Sequence, residues 1–495
     1  MSTLHLLPLA VLLPITAGAL APALFLRRPA GAWWWALAAA TANLAMVWML
    51  WREAQTGDVI RYPLGGWPAP YGIELVFDGI AMLMLVLAVL SVLILIAARR
   101  YIDATVPRYR RSLVYALLLI NLGGMNGFVA AADLFNLFVF MEIFSITAYA
   151  LVALARGPVA ALAALKYLLV GAVSSLLVLL AVALLYAQTG SLNMADVAER
   201  LAAAEAPGAA ALALGCLAVG FLVKAAIFPL HFWLPDAHAS APSPVSALLS
   251  GLVVKMGVVG LLRTQNLFTD AAVVPIDLLS HLLVWLGAIA VLAGATLALV
   301  QRELKLMLAY STVANMGYIA LGLGLASTAA VGGALAHTVY HAVIKTGLFL
   351  TAGAILLATG LSRVDDLRGL GTRMPLTCMA LVIGLLAATG IPTTAGFVGK
   401  WQIAVGSLEA GRPLVIPVIL AGSLLTLSWS IRVINSLFFR PPARARVILA
   451  QEAPASLLIP SLLLALLSLV GGWAGAVSLQ WVEPLTSRLA GTPSW

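Results

Sequence analysis

The sequence predicts an all-α polytopic membrane protein of about fourteen transmembrane helices, with two inverted five-helix repeats and two broken helices. Three observations carry this. The 495-residue chain is 63% hydrophobic and only 9% charged, whereas a soluble domain is roughly a quarter charged and about half apolar. Its apolar residues gather into about fourteen runs close to the ~20 residues a membrane helix needs. Two of these runs, five spans apart, are interrupted by proline and glycine.

The runs lie near 4–26, 31–51, 76–98, 112–131, 133–154, 159–187, 209–233, 243–263, 279–300, 305–325, 329–358, 376–403, 413–437 and 456–478, numbered here as spans 1 to 14. The first run lacks a basic segment before it and is followed by Arg27 and Arg28, an order that suits a first span rather than a cleaved signal. The net charge of +9 would raise nucleic acid as a partner in a soluble protein. Here the basic residues sit in short loops, so they orient the chain and no nucleic acid is expected. Lys plus Arg number about 16 in the loops after odd spans and roughly 6 on the other side, so the odd loops are expected in the cytoplasm and both termini outside. A bacterial inner membrane is the expected location. Cys216 and Cys378 both fall inside apolar runs, which excludes a disulfide framework and a cysteine metal site. With no Walker or dinucleotide motif, no cofactor is expected on the chain, and no metal.

The first break lies in FLVKAAIFPLHFWLPDAHASAPSPVS (221–246), near Phe228–Pro229; the second lies in ATGIPTTAGFVGKW, at Gly390, Pro392 and Gly396. Breaks in matching positions point to inverted repeats. Five is odd, so a copy displaced by five spans crosses the membrane the other way. The expected divisions are a three-span segment at 1–111, a first repeat at 112–265 (spans 4–8), a second at 279–437 (spans 9–13), and a last helix with its tail at 456–495.

Ionisable side chains at bilayer depth cost several kcal/mol each and mark function by default. Glu142 lies about 14 Å into span 5, Lys224 near the middle of span 7, and Lys255 about 16 Å into span 8. His337, His341 and Lys345 follow at steps of four on one face of span 11. Lys400 lies beyond the break in span 12. One carboxylate, four lysines and two histidines over five spans read as a proton relay, since buried lysine and histidine both exchange protons near neutral pH. Glu142 is expected to neutralise Lys224; at about 5 Å such a pair is worth about 3 kcal/mol. The break after Lys224 marks a hydrated passage, because irregular backbone at depth is tolerated only inside protein or along a cavity.

The remaining charges have plainer readings. Lys166 snorkels, Arg302 and Lys305 anchor the inner end of span 10, and Arg263 and Arg432 sit at span ends. Asp133 caps span 5. Asp236 and His238 either cap the irregular segment of span 7 or form a proton inlet. Trp33, Trp34 and Trp35 suit an aromatic belt.

The stretches DLFNLFVFMEIFSITAYALVAL, GFLVKAAIFPLHFWLPDAHASAPSPVSALLSGLVVKMGVVGLLR, LAYSTVANMGYIALG, HAVIKTGLFLTAG and GIPTTAGFVGKW resemble the antiporter-like subunit family shared by complex I and the multisubunit Mrp-type cation/proton antiporters. Residues 62–87 look like the D-type component of the latter. The resemblance implies fourteen helices and a central hydrophilic axis. It matches Glu142 to the family glutamate, Lys224 to its partner lysine, Lys255 to the central lysine, Lys345 with its histidines to the span 11 relay, and Lys400 to the terminal lysine. It implies a proton-translocating subunit of a sodium/proton antiporter, gated by the Glu142–Lys224 pair, with other hydrophobic subunits, protons, Na+ and the lipid bilayer as partners. The alternative it carries is a proton-pumping membrane subunit of a complex I-like NADH-quinone oxidoreductase or a membrane hydrogenase. A non-conducting scaffold would not need a midplane charge axis.

Overall fold

The computed structural model describes residues 3–25, 29–55, 59–155, 157–203, 207–274, 276–442 and 444–473. Among these, thirteen helices are long and apolar enough to cross a membrane. The fourteenth expected span, 376–403, is a pair of shorter helices, Pro375–Thr389 and Ala395–Glu409. The tail and the part of span 14 beyond Trp473 lie outside the described residues, as do Arg27 and Arg28.

Both breaks fall where proline and glycine were expected to place them. Span 7 runs as a helix over Pro207–Lys224 and resumes at Trp233–Ser240. The helix stops four residues earlier than Phe228, for a local reason. Pro229 has no N–H to donate to Ala225, and its ring would strike that carbonyl if the helix continued. The break in span 12 is entered through Gly390 at φ +84, a conformation that glycine takes without strain.

A third irregularity was not anticipated. Span 8 (Ser243–Ala271) contains a π-helical segment at Leu249–Val253, immediately before Lys255. Such bulges often lie at functional sites.

The repeat shows in the way the helices are clipped together. Asp133, at the head of span 5 (Leu134–Ala153), forms an antiparallel bridge with Asn193, just past the end of span 6 (Pro158–Thr189). Glu303, at the head of span 10 (Leu304–Leu325), bridges Arg363, just past the end of span 11 (Thr328–Thr359). Each clip closes 60 residues (133 to 193, 303 to 363). Each has the same bonds: Leu134 N to Leu192 O at 2.9 Å and Leu304 N to Ser362 O at 2.9 Å. The two helix hairpins are therefore one design repeated five spans apart.

Two surface elements were invisible to span counting. Ile60–Pro63 and Glu74–Phe77 form a two-stranded antiparallel ribbon with Ile60 opposite Phe77. Between spans 6 and 7, Met194–Ala202 forms an amphipathic helix capped by Asn193, with Met194, Val197, Ala198 and Leu201 buried on one stripe. The expected cap of span 5 is present: Asp133 accepts from Asn136 N at 2.7 Å.

Span 8 is enclosed from Ser243 to Thr264, and spans 10 and 11 are mostly enclosed. Close approach of backbones makes this possible. A Cβ on Gly294 of span 9 (Asp277–Val300) would stand 2.5 Å from Ala314 N of span 10, the small-residue packing typical of membrane helices. Spans 8, 10 and 11 carry Lys255, Lys305, His337, His341 and Lys345, all buried, whereas Lys224 and Lys400 are buried on spans 7 and 12.

Candidate functional site: a buried charge axis

The axis has two parts. In the first, Lys224 ends the first half of span 7 with its side chain turned toward spans 5 and 6. Its ammonium donates to Ser145 Oγ at 2.8 Å, Tyr149 Oη at 3.1 Å, Ser175 Oγ at 3.3 Å and the Gly171 carbonyl at 3.4 Å. It also stands 5.7 Å from the centre of the Tyr149 ring. Lys224 is only 5% exposed, so four neutral acceptors replace its lost water.

The expected contact with Glu142 takes a different form. Among the described residues no ion pair within 4.0 Å joins the two. Glu142, Ser145 and Tyr149 are three and seven residues apart and share one face of span 5. The lysine docks one turn along from the carboxylate, on the hydroxyl groups, and Glu142 Oε1 is buried without a hydrogen-bond partner. The pair is thus adjacent but parted, with its interaction passing through Ser145's turn.

The fit around Lys224 depends on Gly171. A Cβ there would come within 1.8 Å of the Tyr149 hydroxyl. Gly171→Ala should push Tyr149 away from Lys224 and lower ion transport several-fold while the protein still assembles. Transport at the wild-type rate in reconstituted vesicles would show that the Tyr149 contact is dispensable.

The second part of the axis crosses spans 8, 10, 11, 12 and 13. Lys255 Nζ lies 2.9 Å from His341 Nδ1 and donates to the Ser250 carbonyl. The π segment that contains Ser250 also turns its hydroxyl to Thr312 of span 10, at 2.7 Å. The lysine–histidine contact is chemically symmetrical: a charged lysine donates to neutral imidazole, and charged imidazole donates to neutral amine. One proton can sit on either side.

His337 lies one turn away on span 11, its ring 6.0 Å from that of His341 and nearly parallel to it. His337 Nε2 is 3.0 Å from Asn315 Oδ1. Asn315 Nδ2 donates to the Ser311 carbonyl at 2.7 Å, which fixes the amide so that its oxygen faces His337. Lys345 donates to the Leu308 carbonyl at 2.9 Å and to Ser311 Oγ. Lys345 and His337 therefore meet neighbouring turns of span 10, linked by the Asn315–Ser311 bond, rather than each other.

Lys400 closes the row. Its ammonium stands 4.3 Å over the ring of Tyr318, whose edge approaches His337 with centroids 5.9 Å apart. It also donates to the carbonyls of Ala388 and Thr389, freed by the break in span 12, at 3.1 and 2.9 Å. Ser423 Oγ of span 13 (Val415–Phe438) accepts from it at 3.3 Å. Broken backbone here supplies acceptors for a buried cation.

Several partners were missed from sequence. Ser311, Asn315 and Tyr318 form a polar stripe on span 10 at steps of four and three, and that spacing in LAYSTVANMGYIALG was a usable signal. Lys305 is only 8% exposed and donates to the Ala241 carbonyl at 2.6 Å; it reaches inward to the junction of spans 7 and 8, beyond an anchoring role. Lys166 does not merely snorkel: it pairs with Asp236 at 2.7 Å across an exposed edge. Arg263, read as a residue at a span end, is buried in an ion pair with Asp78. No spacing rule links residues 185 positions apart.

Comparison with known proteins shows the family and the fold. The family model described as NADH:quinone oxidoreductase/Mrp antiporter, TM matches residues 131–426. The chain is 41% identical over 443 residues to an NADH-quinone oxidoreductase subunit N of Desulforudis audaxviator, covering 86% of this chain and 87% of that one. It is 30% identical over 456 residues to a Na(+)/H(+) antiporter subunit of Bacillus subtilis, covering 92% and 90%. Among solved structures it resembles a chain of an archaeal membrane-bound sulfane sulfur reductase, with a TM-score of 0.88, 31% identity and 98% of each chain covered. A chain of the Mrp complex from Dietzia sp. superposes with a TM-score of 0.89 at 25% identity, covering 99% of this chain and 98% of that one. The enclosed lysine axis and the paired broken helices thus belong to a multi-pass membrane protein of the NADH:quinone oxidoreductase/Mrp antiporter transmembrane family.

Proposed function

We propose that this chain is the proton-translocating subunit of a multisubunit monovalent cation/proton antiporter, with Na+ as the counter-ion, in a bacterial inner membrane. Its partners are other hydrophobic subunits of the same assembly, and both of its termini face outward. The observation that supports this most strongly is the row from Lys255 through His341, His337 and Tyr318 to Lys400, with Lys345 held against the same span. Protons enter near Lys224, whose side chain borders the break in span 7, and pass to Lys255, since Gly257 of span 8 packs directly on Ala225. They cross the histidines and leave near Lys400. The parted Glu142–Lys224 pair is one setting of the gate. Drawing the carboxylate onto the lysine holds its proton, and moving it away releases the proton toward Lys255.

The test is sodium-driven proton exchange in vesicles, followed with a pH dye. Lys224→Ala and Lys400→Ala should each lower exchange at least tenfold with the assembly intact. Wild-type exchange in both variants would sink the relay.

The 41% identity to an NADH-quinone oxidoreductase subunit supports a second reading, a redox-driven proton pump using the same residues. A tagged chain purified with its partners separates the two. Flavin or iron–sulfur absorbance in the purified assembly favours the pump, and a colourless assembly with sodium-dependent exchange favours the antiporter.

A further inference from the structure

A cavity of about 100 Å³ opens where span 8 joins span 9 and span 10 joins span 11, on the face that the charge bias assigns to the outside. Thr269 and Asp270 at its mouth are exposed, whereas Asn266 and Ser280 deeper in are buried. Leu262, Leu323 and Val331 line its apolar part. A space of this size with several polar walls holds several waters.

The cavity lies directly above the centre of the axis. Leu262 and Asn266 stand seven and eleven residues beyond Lys255. At 3.6 residues per turn, all three fall within about 20° of one line along span 8, with Leu262 about 10 Å above Lys255. Ser280 of span 9 forms one other wall, and Leu323 and Val331 bring in spans 10 and 11, the helices that supply Thr312 to Ser250 and His341 to Lys255. Spans 8 and 10 also meet at this level, where Gln265 Nε2 donates to the Leu323 carbonyl at 3.4 Å. On the lysine's side of span 8 the fill between the cavity and the lysine is apolar, while His337 of span 11, bonded to Asn315 of span 10, stands between Val331 and His341. Val259, Leu262, Met316, Ile319 and Leu335 are all 5% exposed or less. Below them His341 spends Nδ1 on Lys255, while its Nε2 is buried without a hydrogen-bond partner. A proton carrier with a spare ring nitrogen thus sits under a short dry plug, and a polar, water-sized recess sits above it.

We propose that this cavity is a second outlet of the proton path, one that takes water and hydronium, bypasses Lys400, and is closed in this state by the plug around Leu262. It rests on the relay proposed above. A plug of this kind opens by wetting, so making it polar should leave it conducting.

The test measures proton leak in vesicles under an imposed pH gradient with no sodium present. Lys400→Ala combined with Leu262→Asn should leak at least tenfold faster than Lys400→Ala alone, with Leu262→Thr as the second variant should asparagine prevent assembly. Asn266→Cys, in a chain whose Cys216 and Cys378 are replaced by serine, should react with a membrane-impermeant cationic thiol reagent added outside, and the reaction should slow that leak. A double variant as tight as Lys400→Ala, or an unreactive Asn266→Cys beside a reactive Thr269→Cys, overturns the outlet. Full sodium-driven exchange in both Lys224→Ala and Lys400→Ala would instead overturn the relay, and it is measured separately from the leak.

Discussion

Lys255→Arg is expected to abolish sodium-driven proton exchange as completely as Lys255→Ala, at least tenfold in each case, although arginine keeps the charge. The reason lies in what the site asks of this residue. Lys255 Nζ meets His341 Nδ1 at 2.9 Å in a stretch of span 8 that is buried from Ser243 to Thr264. A relay member there must both accept and release a proton. Guanidinium stays protonated in proteins, so arginine can satisfy the charge but not the exchange. If Lys255 were only a structural pin for the π segment of span 8, arginine would serve in part and alanine would not. Exchange by Lys255→Arg at or near the wild-type rate would therefore count against the relay and for the pin. Size-exclusion profiles of the purified assembly would confirm that both variants still fold.

The largest stability effect is expected at Arg263. Its guanidinium meets Asp78 in a two-pronged ion pair, Nη1 to Oδ2 at 2.5 Å and Nη2 to Oδ1 at 3.2 Å, and also donates to the Val129 carbonyl at 3.0 Å. Asp78 in turn accepts from Ala81 N at 2.9 Å. Both side chains are almost wholly buried. The contact ties the head of span 3 (Leu83–Thr105) and the end of span 4 (Arg111–Ala130) to span 8. Removing one partner strands a buried charge, which costs about 3–5 kcal/mol. Arg263→Ala should therefore lower the thermal unfolding midpoint in detergent sharply. Arg263→Ala with Asp78→Ala should be less damaging than the two single losses added together, because contacting residues couple by about 0.5–3 kcal/mol. Strict additivity in that cycle would mean that the pair is not what holds these spans.

Much of the fold was legible in the residues because the bilayer imposes a simple code. A span must be apolar and about 20 residues long, and proline within it must break or bend it. Hence the spans, their number and both breaks followed from the sequence. The ribbon at Ile60–Phe77 and the helix at Met194–Ala202 escaped, because they lie outside that code and are too short to declare themselves. The ionisable side chains within the spans were legible too, since charge at depth is costly and each such residue stands out against its apolar run, whereas Ser311, Asn315 and Tyr318 were not.

The sequence by itself determined which ionisable side chains fall inside apolar spans and on which helix face. Only the tertiary structure decided which of them meet. It set Lys255 against His341 but Lys345 against Ser311, put hydroxyl groups where a direct Glu142–Lys224 contact was expected, and turned Arg263 and Lys305 inward. Helix face follows from the local pitch of one chain segment. Partnership depends on how spans far apart in sequence rotate and pack against each other, and small residues such as Gly171, Gly257 and Gly294 set that approach. Local spacing carries no information about it.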